Sequence, residues 1–300
     1  MGSNKLKTIF TKKYSRSDVV SSTINWLVEK YLYRQAQKHL ANGARQVAEF
    51  SFELSSRRIN LFGTYDKKEL DAVFEWLKKT SPATFEGSVL DIGANIGNHS
   101  LYFSDYFQNV YSFEPNDKVF TVLKLNAALV DNIQCFKLGI SDTDGSASFL
   151  SPVGYLGCSK LTAEEGEFNQ FIQTVRLDSL AEKLKNVKLI KIDIEGHEFN
   201  ALSGGEKFIK STKPFILFEQ HISDFNDKGS TKVIDLLKGY GYFKFAILSE
   251  YPQSNLKHGS WMRNLYLFIS RILVGSEMRV ILTSDIRPDF YPFIIAIPDS

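Results

Sequence analysis

The sequence predicts an α/β protein with a mostly parallel central sheet, helices on both faces and a helical N-terminal extension. Three observations carry that prediction. From Gly87 onward, short apolar runs alternate with helix-like segments, as they do when parallel strands are joined by crossover helices. One apolar run, Val89–Ile92, passes straight into a tight glycine turn and then a helix. Ahead of residue 80 the apolar spacing is three and four, which is helical.

The elements follow in order. Ser17 with Asp18 is an N-cap followed by an acid in the first turn, and Val20, Ile24, Leu27, Tyr31 and Leu32 line one face of a helix running towards Leu40. Asn42-Gly43 ends it, since both residues tolerate the left-handed conformation. A second helix is expected over Lys67–Lys79, with Leu70, Val73, Phe74 and Leu77 on one side, and Ser81-Pro82 stops it. The strand-like runs are Val89–Ile92, Val110–Phe113, Ile133–Ile140, Leu189–Ile194, Phe215–Phe218, Tyr242–Leu248 and Leu265–Ile269. Helices are expected over Asn98–Tyr106, Asp117–Leu129, Phe199–Ile209 and Thr231–Gly239. Ala147–Leu150 and Thr174–Leu177 read as extra strands flanking a Gly- and Ser-rich loop, of which Gly154–Ser159 is expected to cover the site. Arg279–Leu282 and Phe293–Ile297 are β-like but have no evident place. The expected division is a basic extension over 1–62, a catalytic domain over 63–270 and a β-like extension over 271–300.

With 300 residues, 43% hydrophobic and 23% charged, the composition excludes a disordered chain. No run approaches the ~18 uninterrupted apolar residues of a membrane span. No charged-then-apolar leader precedes a small-residue cleavage site, which argues against export. Cys135 and Cys158 are too few for a disulfide framework or a four-ligand zinc site, so a reducing cytoplasm is the expected compartment. The net charge of +2 conceals an asymmetry. Residues 1–45 hold nine Lys/Arg against Asp18 and Glu29, giving +7 there and −5 elsewhere. Those basic residues are dispersed rather than interleaved with stacking aromatics, which argues against a nucleic-acid partner. A basic amphipathic helix also suits an anionic membrane surface, the catalytic domain or a second copy of the chain.

The most informative stretch is Val89-Leu90-Asp91-Ile92-Gly93-Ala94-Asn95-Ile96-Gly97-Asn98. Ligands of open parallel sheets bind at the carboxyl ends of strands, and a first helical turn offers unpaired N–H groups. A dinucleotide site would read G-x-G-x-x-G. Here the spacing is G-x-x-x-G, Asn95 lies between the glycines, and Asp91 precedes them. An acid there repels a pyrophosphate but suits the amino end of S-adenosylmethionine. Glu114, in Phe113-Glu114-Pro115-Asn116, ends the next strand, where it can accept both ribose hydroxyls. After the third strand, Asp142 is placed to accept from the adenine amino group, although Asp142–Gly145 also reads as a hairpin turn.

Val89–Asn98, Phe113-Glu114-Pro115 and Lys191-Ile192-Asp193-Ile194-Glu195-Gly196-His197-Glu198 together resemble the FkbM family of S-adenosylmethionine-dependent methyltransferases. Gly63-Thr64-Tyr65-Asp66 is similar to a short early motif of that family, which more usually ends in Glu, and Phe218-Glu219-Gln220-His221 to a late strand-end motif. The resemblance covers about Gly63 to Leu248. It implies a Rossmann-like class I methyltransferase that acts on sugar hydroxyls of glycans, glycolipids or nucleotide-sugars.

Methyl transfer from a sulfonium requires alignment, exclusion of water and removal of the hydroxyl proton. Strand alternation pairs Asp193 with Glu195 and Glu219 with His221. His221 is the favoured base, ahead of His197, which begins a helix; Asp193 orients the base, binds the acceptor hydroxyl or touches the cofactor's methionine end. A competing reading joins Asp193 and Glu219 as ligands of Mg²⁺. A plainer one pairs Glu195 and Glu219 with Lys191 or Lys213. At the level of function, the alternatives are RNA ribose 2′-O-methylation and an inactive fold that docks on a membrane or partner.

Overall fold

A computed structural model describes residues 16–43, 45–50, 54–150, 160–161, 170–227, 229–251, 277–283 and 286–299, with isolated positions between 262 and 273. Strand β1 (Ser88–Ile92) is buried at every residue, as a strand covered on both faces must be. It pairs in parallel with β2 (Asn109–Phe113) on one side, and β2 continues to β3 (Ile133–Phe136). After Phe136 the chain leaves that sheet, with exposed Lys137 held by Asp117 at 2.5 Å. The run Ile133–Ile140 is therefore not one strand. Its second half, β4 (Gly139–Ile140), joins β5 (Gly145–Leu150), β6 (Lys160–Leu161) and β7 (Gln170–Val175) in a separate sheet of order β4-β7-β5-β6.

On the other side of β1 lie β8 (Val187–Ile192) and β9 (Phe215–Gln220), both parallel to it. Three antiparallel neighbours complete the sheet: β10 (Lys244–Tyr251), β11 (Glu277–Thr283) and β12 (Tyr291–Ile297). The order is β11-β10-β12-β9-β8-β1-β2-β3. β12 thus enters between β9 and β10, so the expected boundary at residue 270 is not a break in the sheet. Pairing from Ile294↔Phe218 to Ala296↔Ile216 explains why Phe293–Ile297 is apolar: this is an interior strand.

Alternate residues face two cores. Leu90, Ile190, Ile216 and Phe218 meet Ala201, Leu202, Phe208, Ile209, Val233, Ile234 and Leu237. Those come from α7 (Glu198–Ser203), α8 (Glu206–Thr212) and α9 (Lys232–Gly239). Val89, Val110, Leu189 and Leu217 face Leu70, Val73, Phe74 and Leu77 of α3 (Lys67–Thr80) and Tyr102 and Phe103 of α4 (Asn98–Ser104). Each fully buried side chain of this kind contributes about 1.5–3 kcal/mol. The expected helix Phe199–Ile209 is two helices, broken at Gly204-Gly205. A Cβ on Gly204 would collide with the Ser141 carbonyl, so the break brings α7 against the end of β4. The expected strand Thr174–Leu177 is the end of β7 and the start of α6 (Leu177–Leu180).

In the N-terminal extension the first described element is α1 (Arg16–Ala41), closed by Gly43 at φ 82°. Its Leu27, Val28, Tyr31 and Tyr33 are exposed, so that face is not packed on the sheet. α2 (Leu54–Phe62) was not expected from the sequence; its Ile59 is buried against Ile96 and Val119, the latter in α5 (Asp117–Ala127). Between them, Ala48 exchanges two hydrogen bonds with the Asn126 side chain, which also donates to the Ile96 carbonyl at 2.7 Å. The expected strand Leu265–Ile269 is corrected: its described residues are helical, and Met262, Leu265, Ile269 and Leu273 are exposed at helical spacing. Among the described residues no helix is long and apolar enough to cross a membrane. Residues 154–159, expected to cover the site, lie outside the described residues.

Candidate active site

The carboxyl ends of β1, β2, β8 and β9 meet at one edge of the sheet. Gly93 leaves β1 at φ 76°, and the N–H groups of Gly93 and Ala94 donate to the Phe113 carbonyl at 3.0 and 2.9 Å. A Cβ on Gly93 would collide with the Asp193 carbonyl, and one on Gly97 would stand 2.6 Å from Leu123 Cδ1. These glycines are thus required by close approach of the protein's own chain, from the loop after β8 and from α5. Asn95 takes φ 49° and donates its N–H to Glu114 Oε2 at 3.1 Å, while Asn116 N–H donates to Glu114 Oε1 at 2.8 Å. The Asn116 side chain caps α5 by accepting from Lys118 and Val119 N–H. Burial pushes the Glu114 carboxyl up to about 7, against those two amide donors.

Asp91 is completely buried. Its Oδ2 accepts from Ser100 Oγ at 2.6 Å, and its Oδ1 lies 3.3 Å from Lys191 Nζ. Lys191 also donates to the Gly93 carbonyl at 3.0 Å and stands 3.7 Å from Asp193 Oδ2. The expected pairing of Glu195 or Glu219 with Lys191 or Lys213 is not what forms. Lys191 pairs with Asp91 and Asp193, and Lys213 donates to the Tyr240 carbonyl.

β8 stops at Ile192, so strand alternation does not extend to Glu195. That residue sits in the loop at φ 55°, and Gly196 at φ 93° turns the chain into α7. Glu198 Oε1 accepts from Ile194 and Gly196 N–H, bracing the loop. β9 ends at Gln220, but His221 stays extended, so it falls on the same side as Glu219, whose Oε2 lies 3.3 Å from His221 Nε2. The His221 ring accepts from Asp224 N–H, and the Asp224 carboxylate accepts from His221 N–H in return. The ring is thus engaged by both Glu219 and Asp224. Burial, followed by the charges of Asp193, Glu195 and Glu198, pushes Glu219 up to about 8. Glu195 and Glu198 are also raised by burial.

His197 is apart from these acids. Its Nε2 is 3.0 Å from Ser141 Oγ, and burial lowers its pKa. Ser141 Oγ also donates to Asp142 Oδ1, and Asn200 donates to Asp142 Oδ2 at 2.8 Å, which holds that carboxyl below its usual range. His197 and Asp142 therefore form a second polar group at the end of β4.

Tyr65 and Asp66 were not singled out as site residues, yet they stand over the strand edge. Tyr65 N–H donates to Asn98 Oδ1 at 2.7 Å, and His99 Nε2 lies 3.2 Å from the Tyr65 carbonyl. The Tyr65 hydroxyl is raised by burial, then by Asp66, with Asp193 and Glu219 adding to it. Burial pushes Asp66 up to about 7 and lowers His99 to about 4. The motif Gly63–Asp66 was the one signal for this part of the site. Among the described residues, no group of three or more His, Cys, Asp or Glu is arranged to hold a metal ion.

Strand order β3-β2-β1-β8-β9-β12-β10, an antiparallel β12, a glycine loop after β1 and an acid closing β2 define a class I S-adenosylmethionine-dependent methyltransferase fold. The methyltransferase FkbM domain matches residues 91–244, about half of the chain, and the chain belongs to that family. It is 31% identical over 152 residues to hexuronic acid methyltransferase AglP of Haloferax volcanii, covering 49% of this chain and 61% of that protein. It is 24% identical over 147 residues to 2-O-methyltransferase NoeI of Sinorhizobium fredii, covering 42% of this chain and 60% of that protein. The matched region thus spans about three-fifths of each relative. Among solved structures, methyltransferase FkbM from Methylobacillus flagellatus KT is 20% identical over 45% of this chain and 33% of its own, with a TM-score of 0.33. A putative O-methyltransferase from Klebsiella pneumoniae is 9% identical over 93% of this chain and 97% of its own, with a TM-score of 0.36.

Proposed function

We propose that this chain transfers the methyl group of S-adenosylmethionine to a hydroxyl of a sugar-containing acceptor. The observation that carries the reading is the meeting of Asp193 and Glu219 at the strand edge of an FkbM-family domain, beside the glycine loop and Glu114. The named activities of AglP and NoeI support the acceptor class.

The residues present fit the cofactor. Each Glu114 oxygen has one backbone donor and keeps a lone pair for a ribose hydroxyl. The loop from Gly93 through Ala94, Asn95 and Gly97 would border the methionine end, and Asp142 the adenine. When bound, S-adenosylmethionine supplies an electrophilic methyl carbon on a sulfonium. Asp91, with Ser100 and Lys191 on its carboxylate, acts from behind the loop.

Glu219 takes the acceptor proton. Its carboxyl, at about 8, is near working pH, which suits a general base. His221 orients it: its ring accepts from Asp224 N–H, and its Nε2 stands 3.3 Å from Glu219 Oε2. The role expected of His221 thus passes to its neighbour. Asp193 aligns the acceptor hydroxyl, Glu195 closes the same loop, and Lys191 is the fixed cation beside Asp193. His197 belongs with the adenine side. Lys191 places a fixed positive charge beside Asp193, so turnover is expected to survive excess chelator; loss of turnover there would show that Mg²⁺ is required.

Release of S-adenosylhomocysteine is the direct assay, with uronic-acid glycans, neutral glycans and RNA as separate acceptors. The reading predicts release with a glycan. Release with RNA alone would replace the acceptor class, and no release with any of them would reject it.

A further inference from the structure

Lys191 is buried, and its ammonium has three partners in three different segments. These are Asp91 Oδ1 in β1 at 3.3 Å, the Gly93 carbonyl in the glycine loop at 3.0 Å, and Asp193 Oδ2 in the loop after β8 at 3.7 Å. A buried ion pair is weak evidence of a stability role, since apolar replacements of both partners are often neutral or better. What an apolar pair could not do is hold a carbonyl of one loop and a carboxylate of another. Asp193 keeps about a third of its side chain exposed (35%), and its backbone N–H donates to the Ile92 carbonyl just before Gly93. The two loops also touch directly, since the missing Cβ of Gly93 leaves room for the Asp193 carbonyl.

We propose that Lys191 is a positioning residue that locks the glycine loop and the Asp193 loop to each other, setting where methyl donor and acceptor meet. The reading rests on the methyltransferase function proposed above. Asp91 then offsets the buried charge and accepts from the ammonium, as an Asn oxygen also can, while the Gly93 carbonyl and Asp193 hold the ammonium between the loops; it is not a ligand of the cofactor.

The test compares Asp91→Asn with the double variant Asp91→Asn/Lys191→Met, which removes both buried charges together. Two quantities are read: amide hydrogen exchange in the ligand-free protein and calorimetric affinity for S-adenosylhomocysteine. In the folded double variant the amides of Gly93, Ala94 and Asp193 should exchange at least about tenfold faster, while those of Tyr111 and Ser112 in β2 keep their rates. Its affinity should fall by about tenfold, the value of one hydrogen bond to a charged group. Asp91→Asn retains the ammonium, so both loops should stay protected and affinity should stay within about threefold.

Unchanged exchange at Gly93 and Asp193 in the folded double variant overturns the proposal, as does a uniform loosening of the whole sheet. Equal loosening in Asp91→Asn also overturns it, whether or not the double variant folds. Should the wild-type chain bind no S-adenosylhomocysteine, the proposed function falls, while the exchange comparison still decides the role of Lys191.

Discussion

Glu219 is surrounded by charge from every element packed near it. Asp193 and Glu195 face it from the loop after β8, Glu198 from the start of α7, Lys191 from β8, His221 from its own strand end and Tyr65 from the segment before α3. Burial is the main cause, and the acids outnumber the cation, so the carboxyl holds its proton to about 8. A base must be ionised to act. The kcat/KM of the free enzyme should therefore rise with pH and level off above about 8. Glu219→Gln should lower turnover by about two to four orders of magnitude and abolish that rise. His221→Ala should cost less, since it removes only the group that orients the base. A rise of unchanged midpoint in Glu219→Gln would exclude this assignment. The sequence showed Glu219 and His221 on one side of a strand. It could not show which of them has a free lone pair, because that depends on the backbone N–H of Asp224.

At the scale of elements, the legible parts were those with local causes. β1, β2, α3 and α5 lie within a residue or two of their expected bounds, since apolar spacing and caps such as Asn116 are written in adjacent residues. One error has a non-local cause, and two come from weak local signals. Phe199–Ile209 reads as one helix until Ser141 is placed against Gly204. Leu265–Ile269 reads as a strand because a five-residue apolar run has no period of its own. α2 was missed because Leu54–Phe62 offers neither acid nor base at its ends. α3 is the element whose sequence and packing agree most closely. Its Phe74 is almost fully buried, 5.7 Å from Phe103 in a stacked arrangement and 4.9 Å from Tyr106 edge-on. Phe74→Ala should cost about 3–5 kcal/mol in urea unfolding. A loss under about 1 kcal/mol would show that this face of the sheet collapses around the gap.

Across the whole molecule, the acids that serve the site weigh against folding at neutral pH. Glu219, Glu114 and Asp66 are raised from ordinary values of 4.5, 4.5 and 3.8 to about 8, 7 and 7. In that window the native state binds more protons than the unfolded one, so stability falls as pH rises. His99, lowered from 6.5 to about 4, has the opposite slope, but only below pH 6.5. Between pH 6.5 and 8 the carboxyls act alone, and the Tm of the ligand-free protein should decline. A Tm that climbs through that range would contradict these charges.

The same division of labour makes the central claim testable: cofactor contacts lie at the ends of β1 and β2, proton handling at the ends of β8 and β9. Calorimetric titration with S-adenosylhomocysteine tests it on the wild type, Glu114→Gln and Glu219→Gln. The wild type should bind one equivalent, Glu114→Gln should bind at least about tenfold more weakly, and Glu219→Gln should stay within about threefold. Absence of binding by the wild type, or an equal loss in both variants, would contradict it.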